Sequence, residues 1–294
     1  MSEDLASKAV WTPLKIIQWA VPFLAQKGIL HPRLDVELLI AHALKLDRLK
    51  VYLQFDRPLD PQELSIIREL LKRRSFFEPI QYITGEKEFF GFKFKVAPGV
   101  LIPRPETELL VEKAIEYLKE IPEEKRIVLD LGTGSGCISI SIAKTVKCRI
   151  WAVDISEKAL EIAVFNGSKL GAEGIQWRRG NWFDALNSSD PNQFTLIVSN
   201  PPYIPLEERK ELAPEVRDFE PAEALFAEND GMAAYRGVAS GMRGRLSAGG
   251  LVLFEIHAKG YDKVSSLFKP DFPQQVLLND LQGLPRVLQL RGDK

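Results

Sequence analysis

The sequence predicts an α/β protein in which a β-ribbon joins a small all-helical N-terminal domain to a larger Rossmann-like domain with a seven-stranded, mostly parallel sheet. Three observations support this fold class. Helix signals occupy the first eighty or so residues, an alternating apolar pattern follows, and strand and helix patterns alternate from about residue 106 onward. We place the helical domain at residues 1–84, the β-hairpin linker at 85–98 and the larger domain at 99–294.

Prolines and a glycine mark the helix ends of the first domain. Thr12 and Asp60 each precede a proline, and a capping side chain followed by proline is typical of a helix start. Gly28 follows an apolar stretch of helical period, as a glycine does at a helix end. The predicted helices of this domain cover residues 13–27, 33–45, 47–54 and 61–75.

Alternating and continuous apolar runs predict the strands. Phe90, Phe92 and Phe94 alternate with small or charged residues, and this period of two predicts a β-ribbon over residues 86–96. The predicted sheet strands cover residues 126–131, 149–153, 175–178, 194–199, 250–256, 275–279 and 286–290, and the predicted helices cover 106–119, 136–146, 156–170 and 231–246. The last two strands follow each other closely, so we expect an antiparallel hairpin at that edge of the sheet.

Composition limits the classes of partner. The net charge is −1 and the pI about 6.4, so the chain as a whole lacks the basic character of a nucleic-acid-binding protein. Cys137 and Cys148 have no metal-binding spacing and the three histidines are scattered, so we predict neither a disulfide framework nor a metal site. No basic leader and no apolar run of about 18 residues occurs, from which we predict a cytoplasmic protein without membrane contact.

A glycine-rich loop follows the first predicted strand of the sheet. Gly132-Thr133-Gly134-Ser135-Gly136 comes after Asp130 and before a predicted helix, where glycines allow a tight turn and the close approach of a ligand. The spacing fits neither the dinucleotide fingerprint nor the phosphate-binding loop. It favours a ligand with a carboxylate and a ribose over one with several phosphates. The alternative is a tight turn without a ligand.

Two further positions extend the predicted nucleoside site. Asp154 ends the next strand, where a carboxylate can accept hydrogen bonds from both ribose hydroxyls; alternatively it caps the helix that begins after Ser156. Trp182 follows the third strand beside Asn181, a pair that predicts an aromatic wall and a polar contact for adenine. The alternative for Trp182 is packing in the core.

Asn200-Pro201-Pro202-Tyr203 leaves the carboxyl end of a fourth buried strand, the edge where open α/β sheets bind ligands. The side-chain oxygen of Asn200 and the main-chain oxygen of Pro201 can each accept one N–H of a planar NH₂ group, while Tyr203 stacks on its flat face. The nitrogen of such a group is a poor nucleophile, so its methylation depends on being held in line with an electrophilic methyl group. The tetrapeptide therefore predicts N-methylation from the sulfonium methyl group of S-adenosylmethionine. A rigid proline turn without chemistry is the alternative.

Several runs of residues together resemble the HemK/PrmC family, the protein-(glutamine) methyltransferases that modify peptide chain release factors. The resemblance covers nearly the whole chain. It is carried by Gln81-Tyr82-Ile83-Thr84-Gly85, Phe89-Phe90-Gly91, Leu101-Ile102-Pro103-Arg104-Pro105-Glu106-Thr107-Glu108, Val128 to Gly136, Asn200 to Tyr203 and Phe219-Glu220-Pro221. The stretch from Leu101 to Glu108 is especially specific, because enzymes that methylate amino groups of DNA share the tetrapeptide without it.

The resemblance implies the activity, the cofactor and the site. The cofactor is S-adenosylmethionine, the product S-adenosylhomocysteine, and no metal is involved. The helical domain helps to hold the release factor, and the methyl group goes to the glutamine of a Gly-Gly-Gln motif. By position, the implied cofactor residues are Gly132, Thr133, Gly134, Ser135, Gly136, Asp154, Trp182 and Asn200; the implied substrate residues are Asn200, Pro201, Pro202, Tyr203 and Arg104, of which Asn200, Pro201 and Tyr203 are catalytic. Pro103 and Thr107 are expected to close the site from the side.

Two departures from the family pattern concern the pocket wall. Asn181 stands where an aspartate is expected, and His257-Ala258-Lys259 replaces a glycine-containing turn. We interpret His257 as structural. The alternative for Arg104 is a surface salt bridge at the start of the helix that contains Glu106.

Two other functions stay open at this point. A methyltransferase for the exocyclic amino group of adenine in nucleic acid would use the same tetrapeptide but needs a basic channel. A non-catalytic binding module would not need the tetrapeptide. We expect a monomer that contacts no nucleic acid directly.

Overall fold

The structure is a computed structural model that describes residues 10–292. The chain divides after Gly85 into two compact units.

Between residues 10 and 85, the first unit contains helices and no strand. Its helices are α1 (Pro13–Gln26), α2 (Pro32–Leu44), α3 (Arg48–Tyr52), α4 (Pro61–Ser75) and α5 (Ile80–Thr84). The capping signals act as predicted: Thr12 accepts a hydrogen bond from the Lys15 amide, and Asp60 forms a reciprocal capping box with Glu63. These two side chains satisfy amides that the starts of α1 and α4 leave unpaired. Helices α1 to α4 confirm the four predicted helices. Helix α5, which has five residues, was not predicted.

The second unit contains the ribbon and the sheet. Its strands are β1 (Glu86–Phe89), β2 (Phe92–Lys95), β3 (Ile127–Leu131), β4 (Arg149–Asp154), β5 (Gln176–Arg179), β6 (Phe194–Ser199), β7 (Ile204–Pro205), β8 (Phe226–Ala227), β9 (Leu246–Glu255), β10 (Gln275–Asn279) and β11 (Pro285–Arg291). Its α-helices are α6 (Glu108–Glu120), α7 (Cys137–Thr145), α8 (Glu157–Leu170), α9 (Pro214–Phe219), α10 (Ala222–Leu225), α11 (Glu228–Gly231), α12 (Ala233–Met242) and α13 (Tyr261–Phe268).

The main sheet has seven strands in the order β10-β11-β9-β6-β3-β4-β5. Strands β3 to β6 and β9 run parallel, whereas β11 is antiparallel to both β9 and β10, which confirms the predicted fold class and edge hairpin. The chain proceeds from β3 to β4 on one side, while β6 lies on the other side of β3. Such a reversal of strand order opens a crevice at the carboxyl ends of the strands.

Alternate residues of the central strand explain how both faces are covered. Val128 packs in a core with residues of α6 and α7, while Leu129 and Leu131 pack in a second core with residues of α12 and α13. Because successive side chains of a strand point to opposite faces, a continuous apolar run needs helices on both sides.

Three predicted details are wrong. Strand β9 begins at Leu246 instead of residue 250, because the strand continues through Gly249 and Gly250 with an irregular register. Helix α12 ends at Met242 instead of residue 246, just before Gly244, which has φ +76°. The elements from β7 to α11, and helix α13, were not predicted, since most are too short for a clear period.

Two properties of the described range concern membranes and metals. Between residues 10 and 292, no helix is long and apolar enough to cross a bilayer. In the same range, no three His, Cys, Asp or Glu side chains come together in a way that could hold a metal ion.

Candidate active site

A pocket lies at the carboxyl ends of β3, β4, β5 and β6. The residues predicted for the site that line it are Arg104, Gly132, Thr133, Gly134, Ser135, Asp154, Trp182, Asn200 and Pro202, together with Pro103 and Thr107. The register explains why two distant motifs meet here. Leu131 pairs with Ser199, so the glycine loop and Asn200 leave neighbouring strands at the same level. Among the predicted site residues, Gly136, Pro201 and Tyr203 lie outside the lining of this pocket.

The glycine loop is fixed to the end of β4. The amides of Gly132 and Thr133 both donate to the Val153 carbonyl, each at 2.9 Å. Gly136 has φ +80°, and a Cβ there would lie 3.0 Å from Ile140 Cδ1 and 3.2 Å from Ala163 Cβ. Gly136 therefore allows close packing of the following helix, whereas the first four residues of the loop face the pocket.

Asp154 is oriented by main-chain amides. Its Oδ2 accepts from the Gly134 amide at 2.8 Å and its Oδ1 from the Ser156 amide at 2.9 Å. Burial raises the pKa of this carboxyl, and these amide bonds act in the opposite direction. Ser156, which accepts from the Ala159 amide, caps the following helix, so the capping alternative for Asp154 is wrong. A carboxylate oxygen can accept a second hydrogen bond, which leaves Asp154 able to accept ribose hydroxyls.

Two buried polar atoms at the loop have no hydrogen-bond partner among the described residues. They are Oδ1 of Asp130 and Oγ of Ser135. The other Asp130 oxygen accepts from Thr133 Oγ1 at 2.7 Å and from Ser139 Oγ at 2.6 Å, and burial raises the pKa of Asp130 to about 6. Since Ser135 lines the pocket, its free hydroxyl suits a polar ligand such as the amino-acid end of S-adenosylmethionine. The residues present thus fit that cofactor.

Trp182 forms part of the pocket wall in a constrained conformation. Its φ is +45°, which few residues other than glycine adopt. A Cβ on Gly132 would lie 3.7 Å from one end of the indole ring, and a Cβ on Gly237 of α12 only 2.7 Å from Nε1 at the other. Asn181, which stands where the family pattern has an aspartate, also lines the pocket. The ring therefore contributes both to the wall and to packing against α12.

Asn200 is connected to a buried carboxylate. Its Nδ2 donates to Thr107 Oγ1 at 3.3 Å, and Thr107 Oγ1 donates to Glu255 Oε2 at 2.6 Å. The Tyr203 hydroxyl donates to Glu255 Oε1 at 3.2 Å. Burial raises the pKa of Glu255, while the bonds from Thr107 and Tyr203 and the charge of Arg286 lower it.

Tyr203 lies in a neighbouring cavity that His257 and Glu208 also line. Its ring centroid is 5.9 Å from that of His257, with the ring planes tilted by 44°. Burial raises the pKa of Tyr203, so its hydroxyl keeps its proton and donates. The stacking of Tyr203 on a target amide stays a prediction. His257 Nε2 is 3.8 Å from Glu208 Oε2 and does not line the pocket of Asn200.

Arg104 pairs with an acid that the site prediction did not include. Its Nη2 donates to Glu220 Oε1 at 2.5 Å, and the Ile102 amide donates to Glu220 Oε2 at 3.1 Å. Arg104 therefore forms a salt bridge at the start of the helix that contains Glu106, as the alternative supposed, but its partner Glu220 is buried and not on the surface. Burial raises the pKa of Glu220, and Arg104 lowers it.

The sequence carried a signal for both missed acids. Glu220 belongs to the Phe-Glu-Pro triplet, and Glu255 ends the apolar run of β9. A charged residue in such a run is seldom fully buried unless it is paired.

Comparisons with known proteins give two family matches. A model described as the PrmC N-terminal domain matches residues 15–85, and one described as a methyltransferase domain matches residues 122–241. The release factor glutamine methyltransferase of Geobacter sulfurreducens is 39% identical over 281 residues, which are 95% of this chain and 96% of the relative. The protein of that name from Chlorobaculum tepidum is 39% identical over 293 residues, or 97% and 98% of the two chains.

Among solved structures, a methyltransferase from Pyrococcus furiosus matches with a TM-score of 0.50 at 16% identity. The match covers 70% of this chain and 91% of that one. At this identity it shows a shared fold and nothing more.

Proposed function

The chain belongs to the release factor glutamine methyltransferase family, and we propose that it transfers a methyl group from S-adenosylmethionine to the side-chain amide nitrogen of the glutamine in the Gly-Gly-Gln motif of peptide chain release factors. One observation supports this most directly. Asn200 lies in the same pocket as the glycine loop and Asp154, with its NH₂ group bonded to Thr107, so its amide oxygen is free to accept an N–H from a substrate.

The cofactor would be held by the ends of three strands. We assign Gly132 to Ser135 to its amino-acid end, Asp154 to its ribose and Trp182 to its adenine. When bound, S-adenosylmethionine supplies an electrophilic methyl group on a sulfonium sulfur.

The chain's own contribution is to hold and orient the target amide. Asn200 Oδ1 and the main-chain oxygen of Pro201 each accept one N–H, which fixes the nitrogen and favours a pyramidal geometry as the new bond forms. Pro202 keeps the backbone rigid, and Arg104 closes the side of the pocket. Orientation of this kind is worth up to about 7–11 kcal/mol in principle. No strong base is required before attack, because the nitrogen can lose its proton after the methyl group arrives.

We assign protein-substrate recognition to the helical unit and expect a cytoplasmic monomer that contacts no nucleic acid. The adenine alternative is not favoured, since the relatives are named for a protein substrate and residues 15–85 match the PrmC N-terminal domain. The net charge of −1 also differs from that expected of an enzyme that binds a polyanion.

A labelling experiment tests the substrate. Purified protein with radiolabelled S-adenosylmethionine should label a release factor, but not a release factor whose Gly-Gly-Gln glutamine is replaced by alanine, and not duplex DNA. Labelling of DNA alone, or equal labelling of the alanine variant, would contradict the proposal.

The role of Asn200 is tested by Asn200→Ala. Loss of an oriented hydrogen-bond partner should lower kcat by a factor that corresponds to about 2.7–4 kcal/mol. An unchanged kcat would remove Asn200 from the mechanism.

A further inference from the structure

Glu255 is a buried acid beside the catalytic tetrapeptide. It ends β9, and β9 runs parallel to β6 with Ser199 opposite Phe254, so Glu255 and Asn200 follow at the same level on adjacent strands. Its side chain is 1% exposed and accepts from Thr107 and Tyr203. Burying a carboxylate is costly unless its oxygens are hydrogen-bonded, and here each oxygen has a donor.

The hydrogen bonds around Thr107 determine how Asn200 is oriented. A threonine hydroxyl has one proton, and the Thr107 proton lies in the bond to Glu255 Oε2 at 2.6 Å. Thr107 Oγ1 can therefore only accept from Asn200, which must turn its NH₂ group toward Thr107. The shape of an amide does not distinguish its oxygen from its nitrogen, so this network makes the choice. The Asn200 oxygen is left for the pocket.

We propose that Glu255 is a positioning residue that acts through Thr107 to keep the amide oxygen of Asn200, and not its NH₂ group, directed at the substrate. This role rests on the proposed function, because it matters only if Asn200 accepts an N–H from the target amide. Without the carboxylate, the Thr107 proton can turn toward Asn200. The reversed amide would then present a donor to a substrate NH₂ that also donates, and the contact would be lost.

The first test removes the hydroxyl that connects the two residues. Thr107→Val keeps the side-chain shape and should lower kcat for a release factor about tenfold to a hundredfold, in line with loss of a hydrogen bond in a charged network. The dissociation constant of S-adenosylhomocysteine, measured by calorimetry, should change by less than about threefold. Thr107→Ser restores the hydroxyl and should recover most of kcat.

A matched control is available on the same strand as Asn200. Thr195 is buried near the start of β6, and its hydroxyl donates to the Lys125 carbonyl. Thr195→Val should lower the urea midpoint of unfolding, because one neutral hydrogen bond is lost, and should leave kcat near that of the unaltered protein.

The second test separates positioning from general support of the core. Glu255→Gln keeps the shape but removes the charge, and should lower kcat less than Thr107→Val, because an amide can still offer its one oxygen to Thr107. Both changes should cause no further loss when made in Asn200→Ala, since there is then no amide to orient. Single-turnover measurements with excess enzyme make these slow variants measurable.

Several results would overturn the inference: an unchanged kcat in Thr107→Val, no recovery in Thr107→Ser, or losses from Thr107→Val and Glu255→Gln that persist in full in Asn200→Ala. The last result would show that Glu255 and Thr107 support the site independently of Asn200. An unaltered protein that fails to methylate release factors would instead contradict the proposed function.

Discussion

Replacing Gly237 by alanine is expected to damage the cofactor site indirectly, because the added methyl group would displace the ring of Trp182. Gly237 lies inside α12, and a Cβ there would sit 2.7 Å from Trp182 Nε1 and 3.1 Å from Cδ1. Ordinary contacts begin near 3.4 Å, so the ring must move by roughly 0.7 Å or the helix must shift. The other end of the indole lies near Gly132, so a displaced ring changes the pocket wall at the glycine loop.

The expected effects on stability and affinity differ in size. Overpacking costs about 1–3 kcal/mol, while alanine in a helix interior is about 1 kcal/mol more favourable than glycine, so the free energy of unfolding should fall by no more than about 2 kcal/mol. If the Trp182 ring moves off its stacking position on adenine, about 0.5–1.5 kcal/mol of aromatic interaction is lost. This loss raises the dissociation constant of S-adenosylhomocysteine about two- to twelvefold.

Calorimetric titration with S-adenosylhomocysteine and urea unfolding measure the two quantities. The control is Gly174→Ala, because a Cβ at Gly174 would have no neighbour within 4 Å. Trp182→Ala should weaken binding at least as much as Gly237→Ala. If Gly237→Ala folds and binds with unchanged affinity, and Trp182→Ala does too, then Trp182 is core packing and the adenine assignment is wrong.

Three further predictions concern charge and domain roles. Burial raises the Asp130 pKa from 3.8 to about 6, so the folded chain binds more protons than the unfolded chain between these pH values. The free energy of unfolding should therefore decline by about 3 kcal/mol as pH rises from 3.8 to 6. Asp130→Asn should flatten that decline in urea unfolding, and identical pH profiles for the two proteins would contradict this. Arg104→Gln removes the guanidinium that pairs with buried Glu220 and leaves the Ile102 amide as the donor to that carboxyl. The change should lower the free energy of unfolding by about 1–2 kcal/mol and raise KM for a release factor. An unchanged KM would restrict Arg104 to a structural role. Removal of residues 1–85 should weaken release-factor binding and spare affinity for S-adenosylhomocysteine, and calorimetry that shows lost cofactor binding would refute this division.

The parts of the fold that depend on local patterns could be predicted from the sequence. A capping box, a proline in a first helical turn and a buried apolar run each act over a few residues, and this is why helices α1 to α4 and all seven sheet strands were found. Gly249 and Gly250 misled the prediction because two glycines usually indicate a turn. Here they lie in an irregular stretch of β9, between Leu246, which pairs with Phe194, and Leu251, which pairs with Leu196.

The connections within the site depend on residues far apart in the chain. Thr107 and Glu255 are 148 positions apart, and Arg104 and Glu220 are 116 apart. Neither acid has a local neighbour that marks its partner, so only the folded sheet brings each pair together. Most residues that line the pocket could therefore be predicted from their motifs, apart from Gly136, Pro201 and Tyr203, which lie outside its lining. The pairing of Thr107 with Glu255 and of Arg104 with Glu220 could not be predicted.

Thr107 also connects two sequence motifs that were interpreted separately. The tetrapeptide at Asn200 can hold any planar NH₂ group, and on its own it does not determine which end of the Asn200 amide faces the substrate. Thr107 belongs to the Leu101 to Glu108 stretch, and through Glu255 it makes that choice. In this positioning role the two motifs form one functional unit. The same tetrapeptide at the end of a Rossmann-like strand without a Thr107–Glu255 pair would leave the asparagine amide free to turn either its oxygen or its NH₂ group toward the substrate.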